Sequence, residues 1–358
     1  MSERPQPDLT ARSVAVVLAG QHHSGGYVAC PTYPTYRYAW LRDGAWCAHA
    51  MDRSGERSSA AAFHDFVSRT VLENRALFDA AITPGRHGNV LAAPPPTRYT
   101  LTGQVEPPGS EQWPNFQLDG YGTWLWTLAE HVRAGQRLTE QQREAARLVA
   151  AYLRETGTSR CYDCWEEHRE QRHTATLGAV IAGLMAAADL LDEPNLARAA
   201  DEFGTLLFDR HVRSGSFVKH DATDLVDASL LWLGTPFGIV EPTGDLMRRT
   251  TDRVARELTG PTGGLRRYLG DTFYGGGEWV LLTAWLGWHF AATGDLDGAH
   301  RQRDWIHAVA TAEGDLPEQV TTAPQDPAMV RAWQDRWGPV ATPLLWSHAM
   351  YLLLTSSL

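Results

Sequence analysis

Apolar residues recur along this chain every three to four positions, the period of an α-helix facing a core, and almost nowhere in strict alternation. Phe63, Phe66, Val67, Thr70, Val71, Leu77 and Phe78 form one stripe, and Leu148, Val149, Tyr152 and Leu153 a second. Leu177, Val180, Ile181, Leu184 and Leu191 form a third. Trp279, Leu282, Leu286 and Phe290 keep the same spacing, as do Trp346, Ala349, Met350 and Leu353. Convincing alternating strands joined by hairpin turns are hard to find. The expected fold class is all-α.

The helices are punctuated by polar, aromatic-rich clusters. These precede helices expected to begin near Asp43, Asp119, His173, Thr223, Glu278 and Leu345, at intervals of 76, 54, 50, 55 and 67 residues. Each interval has room for two helices and two loops, and six pairs make about 12 helices. If the marked helices run parallel as an inner ring, their N-terminal ends gather at one mouth, as in an (α/α)6 barrel. Another helical repeat architecture would show similar spacing. No low-complexity linker or shift in composition divides the chain, so residues 1–358 read as a single domain. Segments 81–114 and 312–343 are too long to be simple connectors. Loops beyond about 12–15 residues are usually functional or disordered, and the Trp and acidic residues in these two favour function.

Charge and cysteine content narrow the function classes. The balance of 32 basic and 42 acidic residues is −10, a field that repels phosphate backbones and anionic lipid. Nucleic-acid and membrane partners are therefore not expected. No run approaches the 18 apolar residues of a membrane span, and the apolar stretch 13–20 is too short and poorly flanked for a signal peptide. A soluble, reduced, cytoplasmic protein is the expectation. Four Cys are too few for a disulfide scaffold, and Cys161-x-x-Cys164 lacks the second pair of a zinc site. The histidines show no H-E-x-x-H arrangement, and neither a phosphate loop nor a nucleophile elbow is present. No metal and no cofactor are expected. The 14 Trp stand out. Each buried indole N–H must find a partner, so either a large helical core with Trp at its rims or an aromatic-walled pocket for sugar-like ligands is implied.

The clusters carry the chemistry. In Tyr36-Arg37-Tyr38-Ala39-Trp40-Leu41-Arg42-Asp43 the forked donors of Arg42 and the paired acceptors of Asp43 suit a polyhydroxylated ring, although a helix N-cap at Asp43 beside a surface Arg explains them equally. Trp113-Pro114-Asn115-Phe116-Gln117-Leu118-Asp119-Gly120 could be a capped helix start. Trp165-Glu166-Glu167 could be a solvated acidic turn, but a Glu against an indole is desolvated and its pKa rises, as a general acid requires. Arg266-Arg267-Tyr268 and Tyr274-Gly275-Gly276-Gly277-Glu278-Trp279 combine cations, aromatics and a flexible run. In Leu316-Pro317-Glu318-Gln319-Val320 an acid and an amide stand side by side, a pair able to hold a water.

Five of these pieces, in order and at plausible spacings, resemble glycoside hydrolase family 15, the glucoamylase and glucodextranase family, from about Tyr27 to the C-terminus. The resemblance implies an (α/α)6 barrel. It implies Glu166 as general acid and Glu318 as general base, with Gln319 beside the attacking water and Tyr36 as the water-contacting tyrosine. Arg42 and Asp43 match the pair that binds the non-reducing glucose. Trp40, Trp113, Glu167 and Arg267 match further substrate-binding positions, Trp113 in a loop that differs from the family's. The chain has no room for the N-terminal β-sandwich of many bacterial members, and no starch-binding module is visible. It is similar instead to compact members that remove glucose from isomaltose-like α-1,6-glucosides.

The expected function is thus an exo-acting, inverting α-glucoside hydrolase acting on a small oligosaccharide, with segments 81–114 and 312–343 walling the mouth. A maltose or trehalose hydrolase on the same scaffold is the nearest rival. A non-catalytic sugar-binding protein would not need both Glu166 and Glu318, and a helical scaffold for protein partners would leave the Trp-rich loops without a purpose.

Overall fold

The expected alternation of helices is present, with one ring position replaced by a tighter turn. The computed structural model describes residues 8–83, 94–106, 113 and 115–358. In chain order its α-helices are α1 (Leu9–Ala19), α2 (Leu41–Arg53), α3 (Arg57–Glu73), α4 (Arg75–Ile82), α5 (Asp119–Arg133), α6 (Glu140–Thr156) and α7 (Thr174–Leu191). They continue as α8 (Pro194–Arg210), α9 (Asp245–Leu258), α10 (Val280–Thr293), α11 (Leu296–Val309), α12 (Pro327–Trp337) and α13 (Leu345–Thr355).

Packing closes a ring. Helix α2 packs on α5, α5 on α7, α7 on a 3-10 segment at Ala228–Leu233, that segment on α10, α10 on α13, and α13 back on α2. The elements between them lie outside: α1 against α13, α3 against α2, α6 against α5 and α7, α8 against α7, α9 against the 3-10 segment, and α11 against α10. Inner and outer elements alternate six times, which is the (α/α)6 barrel. Five of the six expected ring helices begin within two residues of their marks. The fourth does not: no helix opens at Thr223, and the ring position is filled by Ala228–Leu233. Gly234 and Pro236 follow at once, and Pro disfavours α geometry in the residue before it and supplies no N–H. The stripe read across residues 63–78 is likewise two helices, broken at Asn74.

Helix α7 is the correction to the absence of a span-length apolar run. Its 18 residues have a mean hydropathy of 1.7, long and apolar enough to cross a bilayer, but 83% of them are buried inside the fold. A ring helix is covered over most of its surface, with Met185 and Asp189 left exposed here, so it need not be amphipathic. Its approach to α5 depends on glycine: a Cβ on Gly122 would lie 2.3 Å from the Ala179 carbonyl oxygen, and one on Gly183 2.6 Å from that of Gly122.

None of the five ring α-helices has a side-chain N-cap, whereas outer α1, α6 and α11 are capped by Asp8, Thr139 and Asp295. At the ring mouth, two-residue strands take over. Ala39–Trp40 pairs antiparallel with Arg98–Tyr99, and Glu278–Trp279 with Gln319–Val320. These pairs pin the two long loops to the starts of α2 and α10. Inside the ring, Trp46 stacks among Trp126, Trp232 and Phe237 at centroid distances of 5.7–5.9 Å. All four cysteines are buried free thiols.

Candidate active site

At the N-terminal ends of the ring helices lies a cavity of about 460 Å³, within the size range of small-ligand sites. Tyr36, Trp40, Arg42, Asp43, Trp113, Glu166, Glu167, Arg267 and Glu318 all line it. Seven of the 14 Trp do so as well: Trp40, Trp113, Trp165, Trp279, Trp333, Trp337 and Trp346. The other half fill the barrel or its flank, but not only at the rims: Trp46, Trp124, Trp232 and Trp285 are fully buried, with no hydrogen-bond partner for the indole N–H.

Glu166 sits on a turn that the sequence alone would not fold. Its φ is +69°, and that of His168 is +52°, a conformation non-glycine residues seldom adopt outside functional sites. Asp163 holds the turn, accepting from the backbone N–H groups of Trp165 and Glu167 at 3.0 and 2.9 Å. Asp163 is itself paired with Lys219 at 3.1 Å, and Lys219 with Asp227 at 2.7 Å. Against the cost of burial, Lys219 and His173 keep Asp163 ionised, at about 2. The Trp165 indole turns away and donates to Asp227. The indole that meets Glu166 is Trp40, whose Nε1–H donates to Oε1 at 2.7 Å. It serves as a donor, not as the apolar wall expected from Trp165. Gln117 Nε2 donates to the same oxygen at 3.0 Å, and Arg42 Nη2 lies 3.9 Å from it.

Arg42 is buried at the start of α2 and donates to Gln117 Oε1 and Asp119 Oδ2 at 2.8 and 3.0 Å. Burial opposes its charge, but Asp119, Asp43 and Glu166 hold it well above the ordinary arginine range. Asp43 is the third residue of α2, not its N-cap. Burial pushes its carboxyl up to about 7, with Arg42 pulling the other way and Glu166 adding to the rise.

Across the cavity, Glu318 is 4% exposed. The Tyr36 hydroxyl donates to its Oε1 at 3.1 Å, while Oε2 is buried without a partner. Burial pushes this carboxyl up to about 8, against the pull of the Tyr36 hydrogen bond and Arg267. Glu167 completes the rim, accepting from Arg267 Nη2 at 3.2 Å and from the Tyr268 hydroxyl. Arg267 is fixed in turn by Asp271. Trp113 lies 3.9 Å from the Arg98 guanidinium and 5.6 Å, edge-on, from Trp40.

The sequence profile of the glycosyl hydrolases family 15 matches residues 6–305. The isomaltose glucohydrolase of Kribbella flavida is 41% identical over 98% of this chain and 92% of its own length. The chain belongs to glycosyl hydrolase family 15. It is a glycosidase. A solved glycosidase in complex with glucose superposes with a TM-score of 0.90 at 39% identity, covering 98% of this chain and 96% of that one. A bacterial glucoamylase complexed with acarbose superposes at 0.77 and 20% identity, over 98% of this chain and 55% of that one, and shows the shared fold alone.

Within this family 15 site, one expected residue is elsewhere. Gln319 does not line the cavity. Its Oε1 accepts from Gly277 N at 3.0 Å and its Nε2 donates to Phe273 O at 3.2 Å, so the amide is used to hold the 273–277 turn. Glu318 immediately precedes the Gln319–Val320 strand and takes the cavity side, while the Gln319 side chain is drawn to the 273–277 turn. Segment 312–343 is not all loop, because α12 crosses the cavity mouth and contributes Trp333, Arg336 and Trp337. Its Asp326 cap, Pro327 at the first turn and the i, i+4 pair Trp333/Trp337 were the available signals. Of segment 81–114, residues 84–93, 107–112 and 114 lie outside the described residues; Trp113 reaches the cavity. Gln117, Asp119 and Phe273 are further partners that the sequence reading did not select. Among the described residues, one group of metal-type donors, Asp52, His64 and His131, lies away from this site.

Proposed function

We propose that the chain is an exo-acting, inverting α-glucosidase of one barrel domain that releases β-glucose from the non-reducing end of short α-1,6-glucosides, isomaltose foremost. The observation that carries the reading is the pair Glu166 and Glu318, which face one cavity, each with one carboxyl oxygen engaged by a neighbouring donor. The 41% identity to an isomaltose glucohydrolase over nearly the whole chain supports the substrate class.

Inversion needs an acid for the leaving oxygen and a base for a water on the opposite ring face. Glu166 is the acid: Trp40 and Gln117 fix its Oε1, leaving Oε2 to protonate the glycosidic oxygen. Glu318 is the base: its unpartnered Oε2 takes the proton of a water that the Tyr36 hydroxyl helps to seat. Water attacks the anomeric carbon as the bond to the leaving oxygen breaks, and that oxygen departs with Glu166's proton. Arg42 and Asp43 grip the glucose whose carbon reacts, so their bonds position the transition state. Glu167 and Arg267 bond the leaving sugar, with Trp113 and Trp337 as apolar walls. Gln319 acts through the turn it holds.

Comparing kcat/KM for isomaltose, maltose, trehalose and longer dextran oligomers tests the substrate. Isomaltose is expected to lead. A site built on buried hydrogen bonds rejects a misplaced hydroxyl because its own polar groups are left unpaired. Maltose or a long maltooligosaccharide leading would overturn the linkage and leave the mechanism standing.

A further inference from the structure

Away from the catalytic mouth, the ring carries a second cluster that the hydrolysis does not use. Asp52 lies one residue from the end of α2, and His131 lies in the last turn of α5. His64 projects from outer helix α3. Asp43, at the catalytic end of α2, is nine residues before Asp52, about 13 Å along the helix axis at 1.5 Å per residue. His131 Nδ1 is 2.7 Å from Asp52 Oδ2, and the rings of His64 and His131 are 4.8 Å apart at an angle of 45°. One donor atom from each of the three residues lies within 4.8 Å of the others.

His64 is the unexplained member. It is fully buried, yet neither ring nitrogen has a hydrogen-bond partner. Buried polar atoms are normally paired, and an exception calls for a water or an ion.

We propose that Asp52, His64 and His131 bind one borderline divalent transition-metal ion, with Zn²⁺ as its representative, at the end of the ring remote from the catalytic cavity. Two imidazoles and a carboxylate are a recurrent three-residue zinc set, with a fourth position for water. Tetrahedral bonds of about 2.0–2.1 Å place donors roughly 3.3–3.4 Å apart. On binding, the 2.7 Å pair of Asp52 and His131 would open and His64 would draw in from its present distance by side-chain rotation. The hard oxygen-seeking cations Ca²⁺ and Mg²⁺ fit such a nitrogen-rich set poorly. The ion would tie α2, α3 and α5 together, so binding would raise stability.

The test is titration of the full chain, stripped with EDTA, with Zn²⁺ in a calorimeter, alongside thermal melts with and without the metal. One equivalent should bind and raise Tm. Co²⁺ in its place should give the visible absorption of a four- or five-coordinate centre. Asp52→Asn and His64→Gln should each weaken binding at least about 10- to 100-fold, the scale on which even supporting residues matter. Isomaltose hydrolysis should stay within about twofold, because neither residue reaches the cavity. The adjacent surface pair His22–His23, with ring centroids 3.8 Å apart, is the adventitious competitor. A His22→Ala/His23→Ala variant should bind zinc normally. No saturable binding up to about 0.1 mM Zn²⁺, or binding lost in that surface variant, would overturn the proposal. So would affinity unchanged by Asp52→Asn and His64→Gln. If either of these two fails to fold, the cobalt spectrum of the His22→Ala/His23→Ala protein decides, since Asp52, His64 and His131 are the one group of three such donors among the described residues.

Discussion

Replacing Glu318 by Gln should stabilise the protein at alkaline pH while disabling it. Burial raises the Glu318 carboxyl from an ordinary 4.5 to about 8. Between those values the native state keeps a proton that the unfolded chain releases, so stability falls as pH rises through this window. The penalty is complete above the folded-state pKa. At 1.36 kcal/mol per unit, a shift of about 3.5 units corresponds to ~5 kcal/mol, and relaxation around the ionised group lowers that to about 3–5 kcal/mol. Gln has the shape of the protonated acid, can still accept from Tyr36, and never ionises. An unfolding entropy of about 2.1 cal/mol/K per residue gives ~0.75 kcal/mol/K for a chain of this size, so the gain in Tm is roughly 4–7 °C. Thermal melts of both proteins at pH 5 and pH 9 measure it. The variant should melt higher at pH 9 and nearly together with the native protein at pH 5. Equal Tm differences at the two pH values would refute the argument that Glu318 is held in an environment hostile to its charge.

Other outcomes follow from the same geometry. Glu166→Gln should lower kcat by at least about 10²–10⁴-fold, the usual contribution of a positioned acid or base, and near-normal turnover would remove Glu166 from its role. The acidic limb of kcat/KM, which reports the free protein, should lie well above the ordinary carboxylate range because Glu318 must be ionised to act as base. The limb of kcat should fall at lower pH, since water and sugar hydroxyls donating to Oε2 favour the carboxylate; superimposable limbs near pH 4.5 would contradict the burial of Glu318.

Most of the ring could be read because its helices open where aromatic and acidic residues cluster, as at Trp40 to Asp43 and at Asp119. Five starts were marked by that composition alone. The fourth was misplaced because the stop at Gly234 and Pro236 shortens the element below the length that periodicity detects. Helix α12 was hidden by the prolines around it: none of its residues is buried, so it lacks the apolar stripe that marks the others. Nine of the ten expected site residues gather in one cavity. Gln319 does not, because its amide is bound to Gly277 and Phe273, partners more than 40 residues away that its place beside Glu318 does not announce. Nor does sequence reveal that Glu166 depends on Asp163, Lys219 and Asp227, since that buried chain joins three positions spread over 64 residues (163 to 227). Local patterns report elements well and long-range charge pairing hardly at all.

Hydrolysis should proceed by a single displacement at the anomeric carbon, with Glu166 giving a proton as Glu318 takes one from water. Proton NMR of the first seconds of isomaltose hydrolysis tests this most directly, because the newly released glucose keeps its configuration until mutarotation. An early excess of β-glucose over the equilibrium ratio, relaxing afterwards, is the expected result. An early excess of α-glucose would mean retention through a covalent intermediate, and neither Glu166 as the acid nor Glu318 as the base of an inverting pair would survive it.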